Sequence, residues 1–69
     1  MPPYRQVAAI LRAEIKSGTR APGSRLPSIK DLVDTYGIAR TTAAKALKVL
    51  VDEGAAEVST GMGTYVTER

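Results

Sequence analysis

Two short helical patterns flank Tyr36-Gly37-Ile38-Ala39, and the glycine-punctuated stretch Ser59-Thr60-Gly61-Met62-Gly63-Thr64 follows them; together they predict a mainly α chain with a small β-hairpin. An apolar stripe from Tyr4 to Ile15 adds a helix ahead of the pair. Three helices followed by a two-stranded hairpin make a winged helix-turn-helix. The helix-turn-helix is expected over about 28–53 and the wing over about 55–67, within a single domain spanning 1–69. At 69 residues the chain is near the size at which one core leaves a thin stability margin, so a second domain does not fit.

Tyr4, Val7, Ala8, Leu11 and Ile15 recur at helical spacing, so the first helix is expected to begin after Pro2 and Pro3, with Gly18 as its C-terminal cap. Pro22-Gly23 signals a turn, and Leu26 anchors a short extended segment. Ser28, with Asp31 three residues on, forms an approximate capping box in which aspartate replaces the longer glutamate. Ile29, Leu32, Val33 and Tyr36 follow at i, i+3, i+4 and i+7, and Gly37 stops this second helix. Gly37, Ile38 and Ala39 form the turn, with Ile38 pointing inward. The third helix runs from about Arg40 to Glu53 and ends before Gly54. Its inward stripe is Ala43, Ala46, Leu47 and Leu50, while Thr41, Lys45 and Lys48 share the opposite face with Ala44 flanking them. Small Ala43 and Ala46 let another helix approach closely. Ala56, Val58 and Tyr65 are spaced for one face of two short strands, with Gly61 and Gly63 in the turn. Tyr4, Tyr36 and Tyr65 all fall on apolar faces, so they are expected in the core rather than stacked on bases.

Composition narrows the chemistry. The chain has no histidine and no cysteine, so the common general base, the thiolate nucleophile, disulfides and thiolate metal sites are all missing. Asp31 and Asp34 lie on one side of a short exposed helix, where they set a charge pattern rather than hold a metal. The expectation is a protein that is not an enzyme and uses no cofactor or metal. No apolar run approaches the roughly 20 residues a bilayer span needs. Met1-Pro2-Pro3-Tyr4-Arg5 also lacks the apolar core of a signal peptide, so a soluble cytoplasmic protein with no membrane partner is expected. Net charge of +3 and a pI near 9.6 lean toward a polyanionic partner. The lean is uneven: residues 1–27 carry five bases and one acid, 28–54 four of each, and 55–69 one base and two acids. A positive surface must therefore come from how the helices sort their charges.

Leu26-Pro27-Ser28, Ala39-Arg40-Thr41-Thr42, Lys45-Ala46-Leu47, Leu50, Glu53-Gly54 and Gly61-Met62-Gly63-Thr64-Tyr65-Val66 together resemble, in order and spacing, the winged helix-turn-helix domain of GntR-type bacterial transcription regulators. Pro22-Gly23-Ser24-Arg25-Leu26 resembles that family's linker between its first two helices, and the resemblance extends from Tyr4 to Val66. It implies sequence-specific binding of double-stranded DNA by a transcription regulator, a repressor rather than an activator. The recognition helix, about 40–53, would enter the major groove and the wing, about 59–64, would lie near the minor groove.

Carried over by position, the resemblance places DNA contacts at Ser28, Lys30, Arg40, Thr41, Thr42, Lys45, Thr60 and Gly61. Arg40 is the expected base contact, since a guanidinium offers two parallel donors to guanine O6 and N7. Lys30 stands where the family usually has arginine, and a lysine point charge suits phosphate. The threonines suit phosphate oxygens or a thymine methyl. Three positions depart from the family: Ala39 where serine or threonine is usual, Ala44 where many members place a base-reading arginine, and Met62 where a basic or polar wing-tip residue is common. Most members also carry a larger C-terminal domain that binds a metabolite and holds the dimer together. The sequence ends at Arg69, which leaves an isolated DNA-binding domain of a longer regulator and a small stand-alone protein as alternatives. Binding to an operator as a pair of copies is expected, with weak or no dimer without DNA or such a domain. The competing class is a winged helix that docks a protein or binds RNA.

Overall fold

The computed structural model describes residues 2–59, 61 and 63–68. Helices α1 (Pro3–Ser17), α2 (Ile29–Tyr36) and α3 (Arg40–Asp52) precede an antiparallel hairpin of β1 (Ala56–Ser59) and β2 (Gly63–Val66). This is the winged helix-turn-helix expected from the sequence. Helix α1 starts one residue earlier than expected, at Pro3 with Pro2 as its N-cap. Proline's fixed φ suits the first helical position, where its missing N–H is not needed. Helix α3 ends at Asp52, with Glu53 as its C-cap.

The core is built from Val7, Ala8 and Leu11 of α1, Leu32 of α2 and Ala43, Ala46, Leu47 and Leu50 of α3, closed by Leu26, Ala56 and Val66. Ala43 and Ala46 are fully buried, and α3 packs chiefly against α1. Small side chains at that seam let the two helices come close. On its rim Arg12 makes a two-pronged contact to Glu53, Nε to Oε1 at 2.8 Å and Nη2 to Oε2 at 2.5 Å. Those bonds hold the Glu53 carboxyl below the usual carboxylate range and push the Arg12 guanidinium higher still.

The capping box at α2 closes despite the short aspartate. Ser28 Oγ accepts from the Asp31 N–H at 3.1 Å, and the Ser28 N–H donates to Asp31 Oδ2 at 3.1 Å. Gly37 ends the helix at φ 65°, its N–H reaching the Val33 carbonyl at 2.9 Å. Ile38 turns inward as expected and packs on the core beside Ile29 and Val33.

Two expectations fail. Tyr36, expected in the core, is exposed, because Ile29, Leu32, Val33 and Ile38 already complete the inner face of α2 and its turn. In the hairpin, Ala56 pairs with Val66 and Glu57 with Tyr65. Opposed residues share a face, so Val66 rather than Tyr65 joins Ala56 in the core, and Tyr65 lies with Glu57 on the outer side. A shift of one residue reverses every side chain of a strand. Val58 keeps the side of Ala56 yet is 68% exposed, since the core stops short of the wing tip.

The segment before α2 completes the wing. The Gly23 N–H donates to the Val66 carbonyl at 2.9 Å, the Val66 N–H to Ser24 O at 2.8 Å and the Leu26 N–H to Thr64 O at 2.8 Å. Arg25 and Tyr65 form an antiparallel bridge, so β2 lies between β1 and this extended segment. Leu26 is thereby fixed in the core, and α2 starts beside the wing. Among the described residues, no helix is long and apolar enough to cross a membrane.

Candidate nucleic-acid interface

The first turns of α3 form the centre of the site. Ala39 is the N-cap, at φ −69° and ψ 154°, and it has no side-chain oxygen to bond the first amides. The first backbone bond of the helix runs from the Ala43 N–H to the Ala39 carbonyl at 3.0 Å. Helix geometry leaves the N–H groups of Arg40, Thr41 and Thr42 without helical partners, on the positive end of the helix dipole. Such an end accepts an anion. The start of α2 differs, because the Asp31 carboxylate and Ser28 hydroxyl already occupy it.

The side chains on this end are basic and polar. Arg40 and Thr41 are exposed and Thr42 is half-buried. Among the described residues no carboxylate pairs with Arg40, so its planar fork is available to a ligand. Lys45 Nζ sits 4.9 Å from the centroid of the Tyr4 ring, a cation–π contact. Tyr4, assigned to the core from its periodicity, does pack against it, and its ring also seats this lysine. Periodicity reads only which face a residue occupies; the tyrosine ring sits at the edge of that face and serves both sides.

A shallow groove runs between Pro3 and Tyr4 of α1 and Thr41, Thr42, Ala44, Lys45 and Lys48 of α3. A second, more apolar groove lies between α3 and the wing, lined by Ile29, Leu47, Val51, Val58 and Thr64 together with Ala44 and Lys48. Ala44 and Lys48 border both grooves, which puts them on the exposed crest of the helix. Ile29 brings the start of α2, with Ser28 and Lys30, to the edge of the second groove.

Acids in the neutral middle segment are largely spoken for. Lys30 pairs with Asp34 at 3.1 Å and Lys48 with Asp52 at 2.8 Å, each across one helical turn. These pairs are well exposed and therefore weak, so Lys30 can exchange Asp34 for a phosphate at small cost. The backbone N–H of Ser28 is the main cause holding the Asp31 carboxyl below the usual range. Of the residues carried over from the family, Thr41, Thr42 and Lys45 share the first groove, Arg40 opens the same helix, and Ser28 lines a separate groove with Arg25 and Asp31 at the start of α2, where Lys30 is exposed. Gly61 is exposed in the wing turn, at φ 73°. Thr60 lies outside the described residues, as does Met62.

Comparison with known proteins agrees with this geometry. The family described as bacterial regulatory proteins, gntR family, matches residues 3–66. The chain is 40% identical over 67 residues to the mannosyl-D-glycerate transport/metabolism system repressor MngR of Escherichia coli (strain K12), covering 97% of this chain and 28% of the relative. It is 37% identical over 68 residues to the HTH-type transcriptional repressor NagR of Bacillus subtilis (strain 168), covering 99% and 28%. The chain thus spans little more than a quarter of the length of these curated relatives. Among solved structures, AraR(DBD) in complex with operator ORE1 superposes with a TM-score of 0.92 at 31% identity, covering 97% of this chain and 82% of that one. YtrA from Sulfolobus acidocaldarius, a GntR-family transcription factor, gives 0.87 at 36% identity, covering 100% and 58%. The family match over residues 3–66, with the superposition on AraR(DBD), leaves one conclusion: the chain belongs to the gntR family of bacterial regulatory proteins.

Proposed function

We propose that this winged helix reads an operator in duplex DNA as part of a repressor-type transcription regulator. Arg40 contacts a guanine edge in the major groove, Thr41 and Thr42 meet phosphate oxygens or a thymine methyl, and Ser28, Lys30 and Lys45 hold the backbone. Thr60 and Gly61 bring the wing to the adjacent minor groove. The observation that carries this reading is the uncapped start of α3, where Arg40 has no ion-pair partner among the described residues and Lys45, further along the helix, is seated on Tyr4. Relatives support it: MngR and NagR are named repressors, and AraR(DBD) is bound to operator DNA. The domain acts in pairs on a two-fold site, each copy contributing one half-site.

The test is selection of bound duplexes from a random pool, followed by salt titration on the selected and on arbitrary duplex. A recovered motif is expected, with log affinity falling against log salt by about 0.9 per phosphate contacted. A flat salt response with no enriched motif would instead point to a protein-docking winged helix.

A further inference from the structure

The wing turn, 59–63, contains no basic residue. A cation nevertheless lies on it. Arg25 bridges Tyr65 across the sheet, which puts its side chain on the outer face, and from there it runs diagonally to Gly63. A β-carbon at Gly63 would lie 3.1 Å from Arg25 Nε, 3.4 Å from Nη2 and 3.6 Å from Cζ, so the guanidinium rests against the bare glycine backbone. Gly63 also stands at φ 113°, where side chains are strained. The glycine therefore both makes the turn and leaves room for the arginine.

The charge of Arg25 is open to a ligand. The residue is exposed, and among the described residues no carboxylate forms an ion pair with it. Asp31 feels its charge, but that carboxylate is already bonded to the Ser28 N–H, and Glu68, whose carboxylate lies against Gly23 on the same side of the sheet, forms no ion pair with Arg25. Glu57 shares the outer face but lies beyond Tyr65, one strand further. Backbone hydrogen bonds on both sides of Arg25, from Val66 to Ser24 and from Leu26 to Thr64, fix its position before any ligand arrives.

We propose that Arg25 is the wing's DNA-binding cation: its guanidinium, seated on Gly63, takes a backbone phosphate beside the wing and supplies from the linker the charge that the turn lacks. A two-pronged donor held by packing loses little freedom on binding a phosphate. The inference rests on the operator-binding reading above and extends its contact surface past the start of α2.

The test measures binding of Arg25→Gln, Arg25→Lys and Lys45→Gln to an arbitrary duplex across a salt series. Arg25→Gln is expected to weaken binding and to flatten the slope by about 0.9, so that between 50 and 200 mM salt it loses about 3.5-fold less affinity than the parent. Arg25→Lys keeps the charge and is expected to keep the slope. Thermal unfolding of both Arg25 variants is followed alongside, so that a lost contact is told apart from a lost fold. An unchanged slope in folded Arg25→Gln, with a flattened one in Lys45→Gln, overturns this inference and leaves operator binding standing. A parent domain with no salt-dependent affinity for duplex overturns both.

Discussion

Ala39→Ser tests whether the open end of α3 is a true vacancy in the hydrogen bonding of the fold. Ala39 has the extended backbone of a capping residue, φ −69° and ψ 154°, close to Ser28 at φ −73° and ψ 169°. At Ser28 the hydroxyl bonds the amide three residues on at 3.1 Å, so a serine at 39 places its oxygen within reach of the Thr42 N–H. Ala39 is exposed, and the added oxygen meets no packed neighbour. A cap of this kind is worth about 1 kcal/mol, and Thr42 cannot supply the reciprocal arm of a capping box, which keeps the gain near that of a single bond. A 69-residue chain has an unfolding entropy of about 145 cal/mol/K, so the midpoint should rise by about 7 °C in a far-UV circular dichroism melt. A hydroxyl that accepts from the Thr42 N–H still has its own proton to donate to a phosphate, and the Arg40 and Thr41 amides stay open, so affinity for duplex should also rise, by roughly two- to tenfold, without a change in salt slope. A midpoint unmoved within about 1 °C would refute the reasoning, since it would mean those amides are already satisfied.

Arg40→Ala should cost about 1–3 kcal/mol on the selected operator and much less on random duplex, and an equal loss on both would make Arg40 a phosphate contact. Ala44→Arg should leave thermal stability within about 0.5 kcal/mol, because Ala44 is exposed on the crest of α3, while tightening binding and adding a guanine preference. Unfolding of that variant would show that its side chain collides with the wing across the second groove. Asp31 and Glu53 are both held below the ordinary carboxylate range, so the stability they supply is complete above that range and is lost as pH falls through it and below. Acid unfolding followed by circular dichroism should therefore show a shallower loss in Asp31→Asn; an unaltered acid limb would contradict the linkage. In sedimentation the chain should be mostly monomer, and tethering two copies at two-fold spacing should strengthen operator binding well beyond one copy; a tight dimer without DNA would contradict this.

The helices were legible because their signals are local. Ser28 with Asp31 closes the predicted capping box, Gly37 takes the left-handed conformation that ends α2, and the stripe Ala43, Ala46, Leu47 and Leu50 is buried as its period implies. The wing was legible as a hairpin but not in register. Strand periodicity assigns faces only once pairing is known, and the pairing of Ala56 with Val66 depends on the length of a turn that Gly61 and Gly63 mark without measuring. Pairing of residues 23–26 with β2 was hidden for the same reason, since nearly forty residues of chain separate the two segments. Tyr36 misled because it sits on the right side of α2 but at its last turn, past the depth of the core.

The site was less legible than the fold, and charge shows why. Four bases and four acids in residues 28–54 cancel in any linear count. Folding separates them: Asp34 and Asp52 are drawn to Lys30 and Lys48, and Glu53 to Arg12 from another helix. Asp31 spends its charge on the cap of α2. Of the bases in this segment, Arg40 and Lys45 on α3 have no acid partner among the described residues, and neither has Arg25 beside the wing. A segment of zero net charge thus presents one positive end, and long-range pairs such as Arg12 with Glu53 cannot be read from spacing along the chain. The weak pairs serve a second purpose in this arrangement. Asp34 and Asp52 neutralise Lys30 and Lys48 without burying them, so a phosphate can displace either acid, whereas Arg40 has no acid to displace among the described residues. Differences in affinity between sequences should therefore concentrate at Arg40, and the paired lysines should govern salt dependence.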